Sequence, residues 1–169
     1  MMNKGFTIIE TLVAIAILVA VIVGATGAVQ AGISSYIYSK DQIVAFYLAQ
    51  ESFEQVRNLR DENRLAGRNW LYGFTQNSGD PCYFGNACAS DAITATLERC
   101  PAVGNCPAVR QNATTGFYGL DDSWSPTIFE REITITSIGS DEVAVMVTIS
   151  WNKGIVSRQF KAREHLLNW

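Results

Sequence analysis

The sequence predicts an α+β chain. A long N-terminal helix, membrane-spanning in its first half and amphipathic in its second, packs on a C-terminal antiparallel β-meander, with a long cysteine-containing connecting loop between them. Three observations carry this. From Thr11 to Ser39 no side chain is charged at neutral pH. After Lys40 the apolar residues recur at helical spacing. Near the C-terminus Val143, Val145, Val147, Ile149 and Trp151 take every second position, the period of a strand with one buried face. A chain of 169 residues fits one domain plus an anchor. Its net charge of −3 supplies no basic field for nucleic acid, so none is expected as a partner.

The first element begins in KGFTIIETLVAIAILVAVIVGA, which starts at Lys4. Thr11–Val29 approaches the ~20 apolar residues that cross a bilayer as a helix. Lys4 and the α-amine precede the run, and Lys40 with Asp41 follow it, an arrangement that favours the N-terminus inside. Glu10 stands at the mouth of the run, where an unpaired carboxylate facing lipid is costly. An ordinary secretory signal peptide would use small residues such as Ala25 or Ala31 at its cut, yet Glu10 offsets part of its positive charge. A plain signal anchor gives Glu10 no role.

The residues Lys4, Gly5, Phe6, Thr7, Ile8, Ile9 and Glu10, with the apolar run directly after them, resemble the N-terminal signature of type IV pilins and pseudopilins. The resemblance implies a prepilin leader at 1–5, cut by prepilin peptidase between Gly5 and Phe6. The same enzyme would then methylate the new amine on Phe6. Residues 6–33 would be the transmembrane and polymerisation half of the helix, and 34–169 an extracytoplasmic head. Within that head, 34–67 would be amphipathic helix, 68–127 connecting loop and 128–169 sheet. The implied partners are prepilin peptidase, other pilin subunits with the filament assembly machinery, and membrane lipid before assembly. The chain would first be a single-pass inner-membrane protein and then part of a pilus or pseudopilus.

The resemblance also supplies a cation for Glu10. Cleavage leaves an ammonium on Phe6, and in the family this acid is thought to meet the amine of a neighbouring subunit. A carboxylate buried between stacked helices would gain a charge-assisted hydrogen bond and set their register. Without such a partner Glu10 is only an interfacial acid. Ala16, Ala20, Gly24, Ala28 and Gly32 fall every four residues and form one ridge of small side chains, which lets helices approach closely in lipid. Small residues are frequent throughout this region. The mid-span proline common in the family is absent here, and Gly24, Thr26 and Gly27 are the residues that could loosen the helix instead.

Beyond the span, DQIVAFYLAQESFEQVRNLRDENRLAG reads as an amphipathic helix. Ala45, Leu48, Ala49, Ser52, Phe53, Val56 and Leu59 share one face, and Gln50, Glu54, Arg57, Asn58, Asp61 and Arg64 lie opposite. Arg57 and Asp61 have the spacing of a helix-supporting pair. Gly67 is the expected stop. The stretch Trp70–Pro126 reads as loop, with a short helix possible at Ser90–Arg99.

This stretch holds all four cysteines, as CYFGNAC and CPAVGNC. An even number behind a membrane-targeting start points to disulfides among Cys82, Cys88, Cys100 and Cys106. Local and nested pairings both suit the spacing, and Gly85-Asn86 and Gly104-Asn105 can turn the short loops of the local form. A zinc site would need its cysteine pairs closer, about 2–4 residues apart. Asp121 and Asp122 in GLDDSW suit a turn better than a calcium site, so no metal is expected. Asn112-Ala113-Thr114 matches a glycosylation acceptor, a motif common by chance.

At the C-terminus Phe129, Ile133 and Ile135 alternate with polar residues. Val156, Phe160 and Ala162 continue the inward pattern on a third strand, where Arg158 marks an edge. IGSDE and NKG between the strands are turn signals. No phosphate-binding glycine loop and no nucleophile elbow occurs. The one histidine, His165, has no nucleophile to serve and reads as strand surface. The chain therefore reads as a structural subunit without a cofactor, not as an enzyme. A pilus subunit, of the minor kind, is the first expectation, and a pseudopilin of a secretion or DNA-uptake apparatus the close alternative. A membrane-anchored extracytoplasmic binding domain that never polymerises is the alternative of another class.

Overall fold

The computed structural model describes residue 5 and residues 7–169. Helix α1 runs from Ile8 to Leu65. Seven strands follow: β1 (Ala87–Asp91), β2 (Thr96–Arg99), β3 (Ala108–Gln111), β4 (Tyr118–Gly119), β5 (Ser125–Ser137), β6 (Glu142–Lys153) and β7 (Val156–Leu167). The chain forms two units, one ending at Asp41 and a head of Gln42–Trp169.

In the first unit every described residue of α1 through Tyr36 is exposed, including the apolar side chains of the span. The helix passes through Gly24, Thr26 and Gly27 and is unbroken at these residues. The Thr26 hydroxyl donates back to the carbonyl oxygens of Ile22 and Val23 at 2.9 and 3.0 Å.

In the head, α1 buries Ala45, Leu48, Ala49, Ser52, Gln55, Val56, Arg60 and Asn63. Phe53 and Leu59 of the expected face are only partly buried. The face is thus wider and more polar than apolar spacing indicates. The helix ends as expected at Gly67, whose φ of 67° is easy only for glycine. Gly67 N–H donates to Arg64 O at 3.0 Å and Arg68 N–H to Asn63 O at 2.8 Å, the two bonds of a Schellman stop.

One antiparallel sheet faces this helix. β5 is its spine: β6 pairs along one side, while β1 and β3 share the other. The register sets Phe129 opposite Trp151, Ile133 opposite Val147 and Ile135 opposite Val145, so the alternating residues converge in one core. β7 pairs β6 alone and is an edge strand. Its inward pattern begins at Phe160 rather than at Val156, which is exposed. His165 lies on the surface as expected, with Nδ1 2.5 Å from Glu142 Oε1.

The connecting segment is more ordered than a loop. It carries β1–β4, and the expected helix at Ser90–Arg99 is instead the β1–β2 hairpin, with Ser90 opposite Leu97. Its turn holds Ala95 at φ 54°, the only described non-glycine residue with positive φ. The disulfides are the local pair, Cys82–Cys88 and Cys100–Cys106, which excludes a zinc-thiolate site. Gly85 and Gly104 take φ of 87° and 79° inside the two small loops. Cys82 and Cys88 belong to the main core, while Cys100 and Cys106 pack with Ala87, Ala89 and Leu120 in a second cluster.

Polar side chains tie helix to sheet. Arg131 occupies an inward position of β5, is 0% exposed, and meets Glu51 of α1 and the Ser90 carbonyl. The Gln55 amide donates to the Asp91 and Thr96 carbonyls, each at 2.9 Å. Arg57 does not pair with Asp61. It forks onto Glu164 of β7, with Nε–Oε1 at 2.7 Å, and also meets Glu54. These contacts, together with desolvation that opposes them, leave the Arg57 pKa raised above the usual guanidinium range, the Glu164 hydrogen bond being the largest cause.

Candidate functional site

The candidate site is the start of α1. Lys4 and Phe6, and with them the amine that would be methylated, lie outside the described residues. Gly5, Thr7 and Glu10 are described. Thr7 precedes the first helical residue, and its carbonyl accepts from Glu10 N–H at 3.1 Å and Thr11 N–H at 3.3 Å. The Thr7 hydroxyl donates to Glu10 Oε2 at 3.4 Å. The sequence Thr-x-x-Glu is that of a capping box, and an acid in the first turn suits the positive end of the helix dipole. Within one chain, then, Glu10 has a local role, but it remains exposed. No further partner of the Glu10 carboxylate occurs among the described residues.

A Cβ built on Gly5 meets none of the described residues within 4 Å, and its φ is not positive. Gly24 and Gly32 of the ridge likewise have nothing within 4 Å of a built Cβ. Ala16, Ala20 and Ala28 are exposed beside them, so the whole ridge is open to another helix.

The described residues contain no group of three or more metal-ligating side chains. Asp121 is a turn residue, as GLDDSW suggested. It accepts the Ser123 hydroxyl at 2.7 Å and backbone N–H at 2.8 Å, and these two bonds hold its carboxyl below the usual range. The Asn112 side chain caps its own turn by accepting from the N–H groups of Thr114 and Thr115. The polar seam of Arg131, Glu51 and Gln55 was not identified from sequence. Its one legible signal is the arginine at an inward step between Phe129 and Ile133.

α1 contains a window of mean hydropathy 2.8 near the N-terminus, none of it buried, which is long and apolar enough to cross a membrane. No curated protein and no solved structure matches the chain. Residues 1–26 match the family model described as the prokaryotic N-terminal methylation motif. An exposed apolar run and an acid in the first helical turn thus coincide with that motif, and the chain carries the N-terminal signature of the type IV pilins and pseudopilins.

Proposed function

We propose that the chain is a structural subunit of a type IV pilus or related filament, made as a membrane-inserted prepilin and assembled through its N-terminal helix. Prepilin peptidase cuts between Gly5 and Phe6 and methylates Phe6. The apolar span holds the subunit in the inner membrane with its head outside the cytoplasm until the assembly machinery extracts it. In the filament, the Phe6 ammonium of one subunit meets Glu10 of another, and the ridge from Ala16 to Gly32 sets the approach of neighbouring helices. The observation that carries this reading is the pairing of an apolar run, none of it buried, with an acid at its mouth. In lipid such an acid costs free energy, and in a bundle of like helices each acid finds a cation. The head performs no chemistry in this reading and serves as the surface of the filament.

N-terminal sequencing of the mature protein tests it. A methylated Phe6 start is expected. An intact Met1 indicates a plain anchor, and a start between Thr26 and Gly32 an ordinary signal peptide; either result overturns the proposal.

A further inference from the structure

The β3–β4 hairpin carries Asn112-Ala113-Thr114, the triplet that accepts N-linked sugar on its asparagine. The triplet alone occurs by chance, and its place in the fold is what distinguishes this one. β3 and β4 pair through Arg110–Gly119 and Gln111–Tyr118. The Asn112 N–H donates to Phe117 O at 2.9 Å, so the register continues one step and residues 113–116 form the turn. β4 pairs β3 alone and ends that side of the sheet. Residues 113–117 are all exposed, and none of them belongs to either core cluster. A bulky group on this turn displaces nothing in the fold.

The turn holds the acceptor amide in one orientation. Asn112 Oδ1 accepts the N–H groups of Thr114 at 2.9 Å and Thr115 at 3.0 Å. Two backbone donors on one atom identify it as the oxygen, so the other is the NH2 group. That group, Nδ2, has no acceptor among the described residues and is reached by solvent. The backbone is held as well. Gly116 N–H donates to Asn112 O at 2.8 Å, at a φ of 75° that glycine takes without strain, and Gln111 Nε2 donates to Gly116 O at 3.0 Å. The Thr114 side chain is exposed. Both groups that the triplet supplies, the amide nitrogen and the hydroxyl two residues on, are thus open at once.

An aromatic ring stands beside them. Asn112 and Phe117 are directly opposed across the hairpin, and opposed residues share a face. Phe117 is 59% exposed. The C–H face of a pyranose packs on such a ring and removes both from water.

We propose that Asn112 is a modification site that receives an N-linked glycan, the first sugar of which lies against Phe117. The proposal rests on the reading that places the head outside the cytoplasm. The donor is a glycan carried on a lipid pyrophosphate, and a transferase brings it to the turn. Asn112 Nδ2 forms a bond to C1 of the sugar while the bond from C1 to the pyrophosphate oxygen breaks. The lipid pyrophosphate leaves with that electron pair, and the proton lost from Nδ2 passes to a base of the transferase. No oxidant or reductant is needed.

The test is mass spectrometry of the full chain purified from its own cells. Trypsin releases residues 111–131 as one peptide, since Arg110 and Arg131 are the basic residues that bound it. The peptide should carry at least one monosaccharide, with fragment ions that place it on Asn112. Asn112→Gln should remove the sugar but also changes the turn. Thr114 therefore supplies the cleaner variants: Thr114→Ser should keep the sugar, and Thr114→Val should lower its occupancy by at least about tenfold, because a site built to bond a hydroxyl rejects the isostere that lacks it. Sugar on Thr114 or Thr115, or sugar retained in Thr114→Val, overturns the proposal. The N-terminal peptide of the same sample separates this proposal from the filament reading. A bare 111–131 peptide with a Phe6 start overturns the glycan and leaves the filament reading standing. Sugar on Asn112 with an intact Met1 supports the glycan and overturns the filament reading, and a bare peptide with Met1 overturns both.

Discussion

Replacing Glu51 with alanine should destabilise the head more than removing the arginine it serves. Arg131 is 0% exposed, and its guanidinium has two partners, Glu51 and the Ser90 carbonyl. Its Nε has none. Glu51→Ala leaves a buried cation with one neutral acceptor. Loss of one partner from a buried pair costs roughly 3–5 kcal/mol. The Glu51 side chain is 31% exposed, so water can reach the vacated site, and the lower end, about 3 kcal/mol, applies. Arg131→Met removes the charge and keeps much of the volume. Glu51 is then solvated from its open side, and the Ser90 carbonyl loses this donor, for a total of about 1–2 kcal/mol. With both changes, the cost should stay within about 0.5 kcal/mol of Arg131→Met alone, because the orphaned cation no longer exists. The assay is guanidinium unfolding of the full chain in detergent, followed by the fluorescence of the buried Trp70 and Trp151. An Arg131→Met variant as unstable as Glu51→Ala would refute the reasoning, since the charge would then not be what makes the site costly.

Three further outcomes follow from the N-terminus and the bridges. Gly5→Leu should fold normally, since a side chain there meets nothing, yet block maturation; mature-length protein at ordinary levels on a gel would remove the cleavage assignment. Glu10→Ala should insert and be cut as before but appear in sheared filaments at about a tenth of the usual level or less, the loss of one buried charge pair being more than enough for that factor. Equal incorporation would show that Glu10 meets no subunit. Thiol titration of the denatured, unreduced protein should find no free cysteine, and changing both Cys100 and Cys106 to serine should cost about 2 kcal/mol by loop-closure entropy. A stability unchanged by that double substitution would mean that the bridge closes a loop already held by the fold.

Helix and meander were legible because each is long enough for its period to show. The charge-free run and the face from Ala45 to Leu59 fix α1, and the alternation from Val143 to Trp151 fixes β6. The connecting segment was not legible, for physical reasons. β1 is ACASD, buried at all five positions, so neither face is polar and no alternation appears. The β1–β2 hairpin has no glycine or asparagine at its turn; Ala95 takes the positive φ instead, and SDAITATLER therefore reads as a helix. Gln55, Arg60 and Asn63 were assigned no buried role because polar residues on a helix are normally solvated. Their partners, among them Asp91, Thr96 and Leu167, are brought to them only by the tertiary fold. At the N-terminus the motif was legible in full, since it is contiguous and depends on no folding partner.

The two bridges also bear on the order of manufacture. Each joins cysteines six positions apart. As the chain emerges N-terminus first, Cys88 appears when Cys82 is the one other cysteine present, and the first bond can close without a choice. Cys100 then arrives with no free thiol to attack, and waits only for Cys106. Of the three ways to join four cysteines, the order of emergence selects the native one, and no bond has to be broken and remade. Both links precede Ser125, where β5 begins, so the strand that becomes the spine of the sheet can meet a connecting segment already tied. A passage that exposes the chain gradually to an oxidising compartment would thus serve this protein as its own proofreading.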